Sequence, residues 1–348
     1  MIRKTVTFTA LALMLAPVCA IARAPADATV ERTGEAQLTI RWISSDPVDV
    51  FVAETPDAGL KAAQLVSSRD EDGKHILNTT GVAREYIILR DARTGETTRA
   101  AERLIPLEAG SNFRDLGGYA AAGGKHVRWG MIYRSGGTPL LTPADTARIH
   151  ALGLVNMVDL RSDEERVLAP SRIDGVAYTA VGYSMAKLNV AGGMEGTYRG
   201  LPTMLAPQLK QIFAKLLRSE QPLAYNCSAG QDRTGFVSAV ILSALGTPRD
   251  TIIGDYHLST KYRRPEFEMP HLDVAAHPGD PVVAMFAQFQ DNPAARQPRP
   301  LKTAEGKAYL DFAFSEIDAK WGSVDAYLHN GLGLTAKDIA TLRAIYTK

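Results

Sequence analysis

The chain has 348 residues, 45% of them apolar and 22% charged, with a formal net charge of +1. This is the balance of a soluble globular protein of one or two domains. It gives no whole-chain pull toward nucleic acid or an anionic membrane, so neither is expected as a partner.

The first 22 residues read as a secretory signal peptide. Arg3 and Lys4 form a positive n-region, and Thr5 to Val18 is an apolar stretch too short to span a bilayer. Ala20-Ile21-Ala22 offers an A-x-A cleavage site, with Val18-Cys19-Ala20 as a second option. Pro17 and Val18 do not fit a lipobox, so Cys19 is expected to leave with the signal rather than to be lipidated. Cleavage leaves Cys227 as the sole cysteine and no internal disulfide. A lone thiol in an oxidising compartment is a liability unless it is needed, which points to catalysis. No later apolar run reaches spanning length. The expected product is therefore soluble, exported to the periplasm or secreted, with no stable membrane insertion.

Residues 23–105 read as a small β-rich domain. Leu38-Ile40-Trp42 and Val48-Val50-Val52 alternate with polar residues, the period of half-buried strands, and Tyr86-Ile87-Ile88-Leu89 is a further strand. Asp46-Pro47, Asp72-Gly73 and Arg93-Thr94-Gly95 supply turns between them. Short strands at this spacing suggest a β-sandwich, fibronectin-III-like by analogy, or else an extended β-rich arm. The segment holds no Cys after the signal and a single His, His75, so no chemistry is assigned to it.

Residues 106–348 change rhythm to alternating strands and helices, an α/β domain with a mainly parallel sheet. Thr142 caps a helix with Pro143 at its first position, and Gly153 closes it. Val155 to Leu160 is an apolar strand that carries Asp159 and Arg161 to its C-terminal end, where α/β sites usually form. Ser162 and Glu165 make a capping box for the next helix. Residues 181–203 and 264–303 show no period and are read as long loops, candidate lids over the site. Leu209, Ile212, Phe213 and Leu216 mark one face of a helix.

Leu223-Ala224-Tyr225 is then a buried strand, and Phe236 to Leu245 a buried helix stopped by Gly246 and Pro248. Between them runs Cys227-Ser228-Ala229-Gly230-Gln231-Asp232-Arg233-Thr234-Gly235. A thiol, an anion-binding strand-loop-helix turn and an arginine in nine residues form a constellation for phosphoryl transfer. The amides of Ser228, Ala229, Gly230 and Gln231 can cradle an anion, with the helix N-terminus adding its dipole. That field favours the thiolate of Cys227, the nucleophile. Arg233 can clamp two phosphoryl oxygens in a fork that Lys cannot copy. Asp232 is the nearest group to protonate the leaving oxygen, Thr234 can donate to the sulfur, and Gly230 allows positive φ. Ser228 lacks the Gly-x-Ser-x-Gly setting of a serine hydrolase.

Here the chain resembles the cysteine-dependent protein tyrosine phosphatases, in particular the bacterial branch whose signature reads His-Cys-x-x-Gly-Lys-Asp-Arg-Thr-Gly. Asn112-Phe113-Arg114-Asp115-Leu116-Gly117-Gly118-Tyr119, Tyr133-Arg134-Ser135 and Asp159-Leu160-Arg161-Ser162 resemble further family motifs. Gly322-Ser323-Val324, Ala326-Tyr327-Leu328 and Gly331-Leu332-Gly333-Leu334 resemble its C-terminal helices, so the likeness covers roughly residues 110–348. It implies a Cys-phosphoenzyme mechanism without metal or cofactor, on a phosphorylated protein or a small phosphate ester. Phosphotyrosine is the expected group, and some members also take phosphoserine, phosphothreonine or phosphoinositides. It also implies that Asp159 and Arg161 line the pocket, with Asp159 the rival acid to Asp232. Arg114 is a candidate contact, or with Asp115 a salt bridge bracing the loop. Two positions depart: Asn226 stands where the branch has His, and Gln231 where it has Lys. Neither removes the nucleophile or the clamp, so an active, retuned enzyme is expected. The missing cation at Gln231 weighs against inositol polyphosphates, and Asn226 motivates the rival of a silent phosphate binder. Lys261-Tyr262-Arg263-Arg264 is read as a solvated basic edge. Seven scattered histidines lack ligand spacing, so no metal site is expected.

Overall fold

The computed structural model describes residues 24–80, 83–185, 192–294 and 297–348, so the signal-peptide reading falls outside the described residues. Seven strands come first: β1 (Ala26–Gly34), β2 (Gln37–Ile43), β3 (Val48–Ala53), β4 (Gln64–Asp70), β5 (Lys74–Asn78), β6 (Tyr86–Asp91) and β7 (Thr97–Ala101). They form two antiparallel sheets, ordered β1-β2-β5 and β4-β3-β6-β7. Val30, Leu38, Ile40 and Trp42 of the first meet Val48, Val50, Ile87, Leu89 and Ala100 of the second. The three turn signals sit between β2 and β3, β4 and β5, and β6 and β7, and Gly73 and Gly95 take positive φ.

The alternation predicts a half-buried β3, yet β3 is buried on both faces, as is β6. The reason is the neighbouring α/β part. Phe51, Ala53, Tyr86, Ile88 and Ala101 on the second face pack against Trp129. A sheet face covered by another layer needs no polar alternation.

The α/β part is built on β8 (Arg114–Asp115), β9 (Ile132–Ser135), β10 (Asn156–Asp159), β11 (Ala177–Ala180) and β12 (Leu223–Asn226). Their order is β11-β10-β12-β9-β8, with four strands parallel and β8 antiparallel at the edge. In register, Asp159, Asn226 and Ser135 lie side by side at the C-terminal ends. The helices are α1 (Pro143–Ala151), α2 (Asp163–Leu168), α3 (Gly193–Met204), α4 (Ala206–Leu217), α5 (Asp232–Leu245), α6 (Arg249–Tyr262), α7 (Pro281–Asp291), α8 (Leu310–Trp321), α9 (Val324–Ala326) and α10 (Ala336–Tyr346). Leu209, Ile212, Phe213 and Leu216 of α4 and almost all of α5 pack on Ile132, Val158, Leu223 and Tyr225. Ile149 of α1 covers Tyr133, Met157 and Ala224 on the other face.

Two stretches read as loops contain helices. α3 forms despite Gly196, Gly200 and Pro202, because Tyr198 and Leu201 are buried in the core. Burial of large side chains outweighs the helix penalty of glycine, about 1 kcal/mol each. α7 starts at Asp280, whose carboxylate accepts from the Val282 and Val283 amides, with Pro281 at the first position.

Arg84 ties the two parts together. Its guanidinium donates to Asp115 Oδ2 at 2.7 Å, to the Tyr133 hydroxyl at 3.0 Å and to the Glu102 carbonyl at 2.8 Å. Asp115 also accepts from the Gly117 and Gly130 amides. Asp115 is fully buried, so losing its cation leaves an uncompensated charge. Arg84→Met is expected to cost about 3–5 kcal/mol in urea unfolding. A loss below about 1 kcal/mol would mean the backbone donors suffice for Asp115.

Candidate active site

β12 ends at Asn226 and α5 begins at Asp232, so the signature occupies a strand-loop-helix turn. Gly230 has φ of +63°, and a Cβ there would lie 2.4 Å from the Ser135 carbonyl carbon and the Gly136 nitrogen. No other residue meets both demands. The loop's carbonyls are tied from outside it. The Gly137 amide donates to Ser228 O at 2.7 Å. Asn112 Nδ2 donates to Ala229 O at 3.1 Å and Gly230 O at 2.8 Å, and Arg134 Nη2 to Gly230 O at 2.8 Å. With three successive carbonyls held this way, the loop amides and the first turn of α5 are left as free donors.

The ties are themselves anchored. Asn112 adopts φ of +59°, which a short polar side chain tolerates. Its Oδ1 accepts from Arg114 Nη1. Arg114 Nε donates to Asp255 Oδ1 at 3.0 Å and Arg134 Nη1 to Asp255 Oδ2 at 2.6 Å. Tyr119 OH adds a bond to Asp255 Oδ1 at 2.9 Å. Burial opposes the charge of Asp255, but the two guanidinium groups hold its carboxyl far below the usual range. Arg114 thus pairs with Asp255, not with Asp115 as expected, because Asp115 is taken by Arg84. It is wholly buried, and its bonds to Asn112 and Asp255 brace the loop.

Arg233 lies one residue inside α5. Its Nη1 and Nη2 donate to Glu165 Oε2 at 2.6 Å and Oε1 at 2.7 Å, and Nη1 to the Tyr183 hydroxyl at 2.7 Å. A guanidinium has five N–H groups. These bonds leave the Nε–Nη2 edge to grip an oxyanion pair. Burial disfavours the guanidinium charge, but Glu165 and Tyr183 hold it well above its ordinary pKa. Glu165 is the capping-box residue at the start of α2, and Ser162 N still donates to its Oε2 at 2.9 Å. The Ser228 hydroxyl donates to Oε1 at 2.6 Å, so Ser228 joins the loop to this pair. Burial raises the Glu165 pKa, but Arg233, Ser228 and the Ser162 amide outweigh it and bring it to about 2.

Cys227 opens the loop as a buried free thiol. Thr234 is buried and its hydroxyl has no hydrogen-bond partner, so the expected bond to the sulfur is not formed here. Asp232 accepts from the Tyr198 hydroxyl at 2.5 Å on Oδ1, with Gln231 Nε2 at 3.4 Å. Asn226 Nδ2 donates to Cys227 O at 3.4 Å, and its Oδ1 has no partner.

Asp159 and Arg161 do not line an open pocket. Both are fully buried and bond each other through Arg161 Nε and Nη2, at 3.0 Å to Oδ1 and 2.7 Å to Oδ2. Tyr178 OH and the Arg161 amide complete the shell of Asp159, and Arg161 Nη1 donates to Ala169 O. The basic run at 261–264 is not a free edge either: Lys261 is exposed, but Arg263 grips Glu268 bidentately and Arg264 donates to Leu107 O and Glu108 O. Among the described residues no cluster of three or more His, Cys, Asp or Glu could hold a metal, and no helix is long and apolar enough to cross a membrane.

Sequence reasoning did not assign roles to Tyr183, Tyr198, Arg134, Asp255 or the Asn112 side chain. Asn112 and Arg134 lie in the quoted motifs, which is the signal that marked their neighbourhood. Tyr183 and Tyr198 lie in the stretch read as a loop.

A sequence description of the Tyrosine phosphatase family matches residues 105–348. A Cupriavidus necator protein carrying a tyrosine-protein phosphatase name is 34% identical over 252 residues, spanning 68% of this chain and 85% of its own. The Mycobacterium tuberculosis triple specificity protein phosphatase PtpB is 28% identical over 279 residues, 67% of this chain and 95% of its own. A tyrosine-protein phosphatase of Nostoc commune is 27% identical over 220 residues, 58% of this chain and 69% of its own.

The Glu165 pair makes a pH prediction. Its folded pKa, about 2, lies below the ordinary 4.5. The stabilisation is therefore complete above the unfolded value and disappears as pH falls through the folded one, about 3 kcal/mol for a depression of this size. In urea unfolding, the gap between wild type and Glu165→Gln is expected to be widest above pH 4.5 and to close toward pH 2. A gap independent of pH would contradict the charge pairing.

Proposed function

The chain belongs to the tyrosine phosphatase family, and from that premise we propose that it cleaves phosphotyrosine through a phosphocysteine formed on Cys227. The observation that carries the mechanism is the loop with its carbonyls tied back, Cys227 at its start and Arg233 aimed by Glu165. The loop amides and the Nε–Nη2 edge of Arg233 hold the three equatorial oxygens. The Cys227 thiolate attacks phosphorus, and the P–O bond to the leaving group breaks with its electron pair on oxygen. Asp232 supplies the proton to that oxygen. Water then attacks the phosphocysteine, Asp232 takes its proton, and the S–P bond breaks to restore the thiolate.

Asp232 is preferred to Asp159 on geometry. Asp159 is closed off by Arg161 and Tyr178, whereas Asp232 stands at the N-terminus of α5 within the signature. Phosphoserine and phosphothreonine are included in the proposed range, a reading favoured by the triple specificity named for the M. tuberculosis relative. Inositol polyphosphates are disfavoured, because Gln231 adds no cation beside the loop. Export is proposed from the basic n-region and apolar stretch of residues 1–22.

The test is phosphate release from phosphotyrosine and phosphoserine peptides and from phytate, with EDTA and reductant present. Release is expected to be greatest from phosphotyrosine. Cys227→Ser is expected to lower turnover by more than about a hundredfold while still binding phosphate. Turnover in Cys227→Ser near the wild-type rate would refute the nucleophile. No release from any substrate by the wild type would favour the silent binder.

A further inference from the structure

Asp232 is not free to turn. Its Oδ1 is 2.5 Å from the Tyr198 hydroxyl, and that hydroxyl is 2.6 Å from the hydroxyl of Tyr256. A phenol has one proton. Tyr198 gives its proton to the carboxylate, so Tyr256 must be the donor in the second contact. The chain therefore runs in one direction, from Tyr256 on α6 through Tyr198 on α3 to Asp232 on α5.

The rings are fixed as well as the bonds. Tyr198 is completely buried, stacked on Tyr309 at 5.9 Å and edge-on to Tyr256 at 6.1 Å. Tyr256 lies so close to α5 that a Cβ on Gly235 would sit 2.9 Å from its Cδ2. The glycine after Thr234 in the signature is thus the space that lets Tyr256 reach Tyr198. The end of α3 is pinned by Tyr327 OH on Pro202 O at 2.7 Å.

We propose that Tyr198, backed by Tyr256, is the positioning residue of the general acid: it holds Asp232 by Oδ1 and so presents Oδ2 to the leaving oxygen. As the proton leaves Oδ2, negative charge spreads over the carboxylate, and the donor on Oδ1 stabilises it without reorganisation. The same bond keeps Oδ2 aimed when it takes a proton from water in the second step. Tyr198 touches no reacting atom and acts through Asp232 alone. This rests on the assignment of Asp232 above.

Acid help matters most when the leaving phenoxide is a poor one, and that separates positioning from general structural damage. The experiment measures kcat/KM for a series of aryl phosphates, from strongly acidic fluorinated phenols to the tyrosine phenol. It compares wild type, Tyr198→Phe, Asp232→Asn and the double variant. Asp232→Asn is expected to steepen the dependence on leaving-group acidity. Tyr198→Phe should steepen it in the same direction, with a loss of about 10- to 100-fold on phosphotyrosine and about twofold or less on the best leaving groups. The double variant should match Asp232→Asn alone, since the two act as one unit. Tyr256→Phe, which keeps Tyr198 intact, should give a smaller loss with the same pattern, and it carries the test if Tyr198→Phe folds poorly. A Tyr198→Phe loss equal across the series, or one that adds to that of Asp232→Asn, would overturn the proposal. A flat response in Asp232→Asn would instead remove the acid assignment, and the proposal with it.

Discussion

The constraint on which the site depends is the direction of three carbonyl groups. A backbone loop can offer its N–H groups to an anion only if its C=O groups point elsewhere and are satisfied there. Gly137, Asn112 and Arg134 do this for Ser228, Ala229 and Gly230. Left untied, these carbonyls could turn inward and repel a phosphate. Gly230 supplies the left-handed turn, and its missing side chain lets the loop press against the end of β9.

The rest of the molecule is arranged to hold those donors still. Arg114 and Arg134 are both wholly buried, and Asp255 pairs with each through a different oxygen, so neither faces an apolar interior alone. One residue along the chain from Arg114, Asp115 reaches the other way, to Arg84 from the strand-rich N-terminal part. The strand-rich N-terminal part is thus linked to the Cys227 loop through Arg84 and Asp115, then along the backbone of β8 to Arg114 and its bond to Asn112. On the opposite rim, Glu165 caps α2 and aims Arg233 with one carboxylate. The Arg233 charge, with the Ser228 hydroxyl and the Ser162 amide, outweighs burial and accounts for the low pKa of Glu165.

Much of this is visible in the sequence where the cause is local. The strand, the loop and the helix around Cys227 follow from apolar runs, glycines and a stop signal, and α1 and α2 start at the capping residues read for them. What is not visible is any bond between distant segments. The capping box marks Glu165 as the start of α2, but nothing near it in sequence announces an arginine 68 positions on. The motif places Arg114 beside Asp115, and adjacency suggests a pair. A strand instead sends successive side chains to opposite faces, so each finds its partner elsewhere. α3 is hidden because its glycines and Pro202 argue against a helix, and only burial of Tyr198 and Leu201 favours it. Tyr198, the residue proposed to position the acid, lies in that segment, so the helix and its proposed role are missed together.

The central claim is that the tied carbonyls preorganise the anion cradle. The direct test is calorimetric binding of inorganic phosphate to Cys227→Ser and to the same protein carrying Asn112→Gly. Glycine accepts the +59° φ of Asn112, so the backbone is kept and only the side-chain ties are lost. The account predicts affinity weaker by about tenfold or more, as expected for the loss of hydrogen bonds of about 1 kcal/mol each. Unchanged affinity would contradict it and would mean that the loop holds its shape without those ties.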